Sequence, residues 1–287
     1  MKKIIDVNLY SYGNAAENYD CEQGPRVLKN TLEKTPLAQH CHWHTPLQVN
    51  NRHQQRAALH DVAALSKQLA QSTHDSVQNK QCFITLGGDH TAAIGSWSGA
   101  ANAMEGDLGL IWFDAHMDSH TFETTPSNNI HGMPLAVLLG HGEPILTHVA
   151  SDKPKLKPEN VVLIGIRSYE PGEAALLKKL GVTIFHMNDI KKLGMQKVIA
   201  SAVEMVSKNT AGFGISIDLD GFDPVDAPGV GTSEADGVHA AEFLKYFSMI
   251  AQDPKLIGAD IVEFNPVLDQ DRMTEELGVA LIKALMK

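Results

Sequence analysis

Cysteine is scarce in this sequence: three residues, Cys21, Cys41 and Cys82, in a chain of 287. An odd number at wide spacing does not make a disulfide framework and suits the reduced thiols of a cytoplasmic protein. Basic residues are also short, with 24 Lys and Arg against 34 Asp and Glu and a formal net charge of -10. Gripping a phosphate backbone takes a basic face, so this balance argues against a nucleic-acid partner. No apolar run reaches the roughly 18 residues of a spanning helix. The opening MKKIIDVNLY has its apolar part broken by Asp6 and Asn8, so neither a membrane span nor a signal peptide is expected. Internal repeats and low-complexity stretches are lacking too, which sets aside solenoids and extended linkers.

What is present is enough for a sizeable core: 43% of residues are apolar, and one α/β domain over 1–287 is the expectation. Lys3 to Leu9 reads as a first strand, followed by a polar loop from Tyr12-Gly13 to Gly24-Pro25. Helical spacing appears in Val27, Leu28 and Leu32 and again in Val62, Leu65 and Leu69. Helices are also expected from Thr91, over Gly132 to Leu139, from Pro171 to the stop at Gly181, over Val198 to Val206, and from Thr274 with Leu277, Leu281 and Leu285 on one face. Strands are expected at Cys82–Leu86, Leu110–Phe113, Asn160–Ile166, Val182–Phe185, Phe213–Ile217 and Ile257–Phe264, with a solvated loop over Ser151–Glu159. Strands alternating with helices imply right-handed crossovers. They predict a three-layer α/β/α fold around a central, mainly parallel sheet.

Three of these buried strands end in the same way. The run Leu110, Ile111, Trp112, Phe113 is followed by Asp114, His116 and Asp118, whose spacing of two turns all three side chains to one side of an extended chain. Cys82 to Leu86 runs into Gly87-Gly88-Asp89-His90, and Phe213 to Ile217 into Asp218-Leu219-Asp220. In an open parallel sheet, sites form at the carboxyl ends of strands. Carboxylates and imidazoles converging there repel one another unless a cation joins them. Six candidate ligands result: His90, Asp114, His116, Asp118, Asp218 and Asp220. That exceeds what one tetrahedral ion needs, so two ions sharing carboxylates is the economical arrangement.

Other polar residues read more plainly when taken singly. Asp223 turns the chain before Pro224, Asp89 supports a ligand from behind, and Glu173 starts a helix. Alone, Glu263 is a strand-end acid and His131 a loop or N-cap histidine. The alternating histidines of His40-Cys41-His42-Trp43-His44 look like a metal cluster. With no carboxylate or further Cys at a ligand spacing, the segment reads instead as a surface loop or edge strand.

Together with Glu22-Gln23-Gly24-Pro25, Asn129-Ile130-His131-Gly132-Met133-Pro134, the stretch from Ser216 to Gly231, and Glu263, these motifs resemble the manganese-dependent ureohydrolases, and among them the arginases. The resemblance covers most of the chain. It implies one manganese on His90, Asp114, Asp118 and Asp218 and a second on His116, Asp114, Asp218 and Asp220, with Asp114 and Asp218 bridging. Oxygen-rich donors with imidazole and no thiolate suit manganese, and cobalt, nickel or iron as well. The implied reaction is hydrolysis of L-arginine to L-ornithine and urea by a metal-bridging hydroxide that Asp118 orients. In it Glu263 pairs with the guanidinium, His131 donates and shuttles protons, and Thr232 stands beside the metals.

After Asp118, Thr125, Ser127 and Asn129 match arginase positions, Ser127 and Asn129 being those that hold the α-carboxylate. The chain departs from the family with His120 in place of the usual Asn, with Ser168 and Glu170 in place of two Asp, and with Ser233-Glu234-Ala235-Asp236-Gly237 in place of a Pro and Gly-Gly run. On this reading Glu170 reaches the α-ammonium group and His120 lies near the same end of the substrate, as a donor to its α-carboxylate. The alternatives are hydrolysis of agmatine or a guanidino acid, a metal-dependent amide hydrolase, or a metal-stabilised scaffold without turnover. A homo-oligomer, trimer or hexamer, is implied by the family.

Overall fold

In the computed structural model, which describes residues 4–16 and 20–287, the apolar runs become one sheet. Its strands are β1 (Ile5–Tyr10), β2 (Cys41–Trp43), β3 (Phe83–Gly87), β4 (Leu108–Phe113), β5 (Val161–Ile166), β6 (Thr183–His186), β7 (Gly212–Asp218) and β8 (Leu256–Val262). They lie in the order β2-β1-β3-β8-β7-β4-β5-β6, and each neighbouring pair is parallel. Lys3 of the expected first strand, and residues 17–19 of the loop expected after it, lie outside the described residues.

The connections are α1 (Gly24–Leu32), α2 (Leu59–Gln78), α3 (Ala92–Ala103), α4 (Pro134–Leu138), α5 (Pro144–Thr147), α6 (Pro171–Leu180), α7 (Met187–Leu193), α8 (Met195–Lys208), α9 (Ala240–Ala251) and α10 (Met273–Leu285). They cover both faces, because the strands are apolar on both. In β4, Ile111 and Phe113 join a core with residues of α1, α7, α8, α9 and α10. Leu110 and Trp112 point the other way, among residues of α3, α4 and α6. A third cluster packs α2 against α3 beneath Tyr10 and Tyr12. Trp97 of α3 packs closely on β7 because Gly214 has no side chain there: a Cβ would stand 2.1 Å from the ring. Each large apolar side chain so buried contributes about 1.5–3 kcal/mol.

The sheet order places β3, β8, β7 and β4 side by side at its centre. After β3 the chain returns to the far side of β7, so β7 and β8 fill the gap last. Such a topological switch leaves a crevice at the carboxyl ends. All three ligand-bearing strands open into it.

Two differences from the bounds read in the sequence have a local cause. The helix expected over Gly132 to Leu139 is a 3-10 turn, Ile130–Gly132, followed by α4. Pro134 explains the restart, since it lacks an N–H and fits only a first turn. The strand expected to reach Phe264 stops at Val262, because Glu263 takes a left-handed conformation (φ 65°) and gives its N–H to Gly88 O at 2.7 Å. Helices α5, α7 and α9 were not anticipated. The segment Cys41–Trp43 is an edge strand, one of the two forms expected for it.

Candidate metal centre

His90 follows β3 through Gly87 and Gly88, and the tightness of that turn requires glycine: a Cβ at Gly88 would stand 2.1 Å from Tyr12 O. The imidazole stacks on Trp112, with centroids 4.2 Å apart and planes 10° from parallel. Its Nε2 lies 2.8 Å from Ser216 Oγ, and the Ser216 hydroxyl is hydrogen-bonded in turn to the Asp260 carboxylate. An ionised Asp260 only accepts, so Ser216 donates to it and Nε2–H donates to Ser216. Any further proton on the ring must sit on Nδ1, which has no hydrogen-bond partner. That nitrogen stands 2.9 Å from Asp118 Oδ2, 3.0 Å from Asp218 Oδ2 and 3.3 Å from Asp114 Oδ2.

A second focus adjoins the first. His116 Nδ1 lies 3.1 Å from Asp220 Oδ2 and 3.5 Å from Asp114 Oδ1. The ligand atoms of His90, Asp114, Asp118 and Asp218 all fall within 4.8 Å of one another, as do those of Asp114, His116 and Asp220. Asp114 therefore belongs to both groups. Asp218 joins the first group by distance and reaches the second through Asp220, whose N–H donates to Asp218 Oδ1 at 2.9 Å.

The carboxylates are aimed by the chain itself. Trp112 Nε1 donates to Asp114 Oδ2 (2.9 Å) and the His116 N–H to Asp114 Oδ1 (2.6 Å), while the Ala115 N–H holds Asp220 Oδ1 at 3.2 Å. Asp118 adopts a left-handed backbone, φ 45°. Such strain persists only where surrounding contacts impose it.

Burial pushes the Asp218 carboxyl well above its usual range, with Asp220 and Asp114 adding to the rise. Burial likewise raises Asp118, and lifts Asp220 to about 6 against the pull of His116. For His90, burial opposes charge, yet the three carboxylates facing it outweigh burial and drive it up. The groups thus seek positive charge at the two points where they converge. Three carboxylates with an imidazole, and two with an imidazole, form a donor set that fits divalent cations.

Around these groups lies a cleft of about 240 Å³, lined among others by Asp118, His120, Thr125, Ser127, Asn129, His131, Ser168, Glu170, Thr232 and Glu234. The expected substrate-end residues are therefore gathered on one cleft with four of the six ligands. Two of them are paired with each other: His120 Nε2 is 3.0 Å from Glu170 Oε2, and 3.5 Å from Glu173 Oε2. Glu170 is held low in pKa, first by that bond to His120. Ser127 Oγ accepts from the Asn129 N–H at 3.2 Å, and Asn129 Oδ1 is buried without a partner.

Glu263 is not on the cleft wall. Its Oε1 accepts from the His90 N–H (2.8 Å) and meets His131 Nδ1 (3.0 Å). Burial disfavours a charged His131, but Glu263 outweighs it, with Asp118 and Asp89 behind, and lifts the imidazole to about 9.

Asp89 accepts from the Ala15 and Thr91 N–H groups, and Asp223 from those of Val225 and Gly237. Asp223 serves the backbone turn, as read, whereas Asp89, read as supporting a ligand from behind, bonds to Ala15 and Thr91 instead. The sequence reading missed Ser216 and Asp260, although a charge inside the apolar run of β8 was a visible signal. It missed Arg167 too, whose guanidinium donates to the carbonyls of Gly165, Asp220, Gly221, Phe222, Glu234 and Ala235. This one side chain ties the loop that carries Asp220 to the end of β5.

Comparison with known proteins agrees with this geometry. A family model described as the Arginase family matches residues 11–287. The chain is 43% identical to the arginase of Bacillus caldovelox over 227 residues, 79% of this chain and 76% of that one. It is 44% identical to the arginase of Brevibacillus brevis over the same shares. The crystal structure of arginase from Bacillus subtilis superposes with a TM-score of 0.91 at 36% identity, covering 99% of this chain and 98% of that one.

Proposed function

The chain belongs to the arginase family, and on that premise we propose that it hydrolyses L-arginine to L-ornithine and urea at a binuclear manganese centre held by His90, Asp114, His116, Asp118, Asp218 and Asp220. The observation that carries the reading is the union of two ligand groups sharing Asp114 with a cleft whose other end carries Thr125, Ser127, Asn129 and Glu170. Two manganese ions bound there supply the charge that lowers the pKa of water and makes a nucleophile available near neutral pH. Cobalt, nickel and iron dications suit the same donors.

The protein's own groups do the rest. Asp118 lines the cleft and orients the attacking water by accepting its hydrogen bond. Glu263 does not line the cleft, so the guanidinium contact expected of it falls away, and it acts instead by accepting the hydrogen bond of His131 Nδ1. Attack on the guanidinium carbon breaks its bond to the side-chain nitrogen, and that nitrogen takes a proton as it leaves. His131 is placed to give it, since Glu263 keeps the imidazole protonated through neutral pH. At the far end Glu170 accepts from the α-ammonium group, Ser127 and Asn129 hold the α-carboxylate with Thr125 beside them, and Thr232 lines the wall between. His120 positions Glu170 through the bond between them, which also brings the ring to the amino-acid end. A single domain acting in the cytoplasm as a homo-oligomer, trimer or hexamer, completes the proposal and rests on composition and family.

Urea release from L-arginine, agmatine and guanidino acids with manganese present tests it. The expected result is a clear preference for arginine. An equal or higher kcat/KM for agmatine rejects arginine as the substrate and leaves a hydrolase of other guanidino compounds.

A further inference from the structure

The histidine-rich segment that the catalytic reading leaves over forms β2, one of the two edge strands, paired with β1 so that His42 stands opposite Asp6. Residues two apart in an extended chain share a face. His42 and His44 therefore point to one side, and Asp6 of the neighbouring strand points with them. The rings lie 4.8 Å apart, tilted by 58°. Asp6 Oδ1 is 2.7 Å from His42 Nδ1 and 3.6 Å from His44 Nε2, and the three donors all fall within 4.8 Å of one another. Around a dication with donors at about 2.0–2.2 Å, ligands roughly 90–110° apart stand about 2.8–3.6 Å from each other. The two separations are close to that range.

Two further facts favour a cation. Asp6 is only 3% exposed, and a carboxylate so deeply buried requires compensating charge or donors. His44 Nε2 is buried with no hydrogen-bond partner, although it faces that carboxylate at a distance too long for a direct bond. One ion satisfies both groups. The His42 side chain, 62% exposed, leaves the cluster open to solvent for entry and for water ligands.

We propose that Asp6, His42 and His44 bind a transition-metal dication of the zinc class at a site separate from the binuclear centre. Asp6 pairs with Phe83, the first residue of β3, whereas His90 lies beyond the last, so the two sites sit toward opposite ends of the strands. Two imidazoles with one carboxylate favour zinc, nickel or copper over manganese, which divides the metals between the sites. Coordination clamps a three-residue edge strand to the sheet and adds to its few ladder hydrogen bonds.

The test compares the full-length protein with His42→Ala and with His44→Gln. Each is loaded with manganese, equilibrated with Zn2+ and desalted, and zinc per chain is measured. Zinc that exchanges into the binuclear centre is common to all three proteins and cancels. Manganese-supported urea release before zinc is added shows that the fold and the catalytic site are intact. The expected result is one zinc per chain fewer in both variants than in the parent. Equal zinc content in the parent and either variant that retains urea release overturns the proposal and leaves a hydrogen-bonded Asp–His pair.

Discussion

Replacing Ser216 by alanine tests how the centre is held together. Ser216 touches neither cleft nor cation, yet it stands between His90 Nε2 and the Asp260 carboxylate. Without the hydroxyl, a buried N–H and a buried carboxylate oxygen each lose a partner, at about 1–3 kcal/mol apiece. His90 cannot move to meet Asp260 without leaving its stack on Trp112, 4.2 Å away. The ring therefore loses the bond that keeps Nδ1 directed at Asp114, Asp118 and Asp218. Loss of such an orienting partner lowers metal affinity by about 10- to 100-fold, or roughly 1.4–2.8 kcal/mol. Urea release is followed while metal-stripped protein is titrated with Mn2+, giving a midpoint and a plateau. The midpoint is expected to rise by that factor while the plateau changes far less. An unchanged midpoint refutes the account of how His90 is oriented.

His131→Asn is expected to lower kcat by about 10²- to 10⁴-fold, the usual worth of a positioned acid, while metal content by elemental analysis stays at the parent value. In the parent, activity that needs the protonated imidazole is full at neutral pH and falls as pH rises through a pKa at or below about 9, since bound cations lower the value set by Glu263; this descending limb is absent from the variant's pH profile. Glu170→Gln raises KM for arginine by roughly tenfold, near the low end for a charge-assisted bond because the side chain is half exposed, and leaves agmatine kinetics unchanged. Arg167→Lys, which cannot span six carbonyls, destabilises the protein in urea unfolding by about 1.5–3 kcal/mol, the worth of a hydrogen bond to a charged group, and weakens metal binding through the Asp220 loop.

The metal-ligand candidates were legible because each follows a buried strand, and a strand buried on both faces announces itself as an apolar run. Asp114, His116 and Asp118 needed only the period of a strand to be placed on one side. What escaped were relations between residues far apart in the chain. His120 meets Glu170 across 50 positions, so each was assigned its own group at the amino-acid end of the substrate when they in fact face each other. The segment from His40 to His44 was set aside for want of a carboxylate, which arrives from Asp6 on the adjacent strand. Glu263 was expected at the end of a strand, and its left-handed turn, which puts it behind His131, depends on a hydrogen bond to Gly88 that no local pattern encodes. Helix α9 carries Phe243, Phe247 and Ile250 at helical spacing and could have been read. The seven residues of α7 are too few to show a period.

Arginine cleavage at a two-ion centre is tested most directly by stripping the protein of metal, adding Mn2+ in steps, and measuring ornithine and urea formed from L-arginine. The account predicts no turnover in the stripped protein and equal amounts of the two products, rising to a plateau at two manganese ions per chain. A plateau at one ion per chain, or no ornithine at saturating manganese, contradicts it.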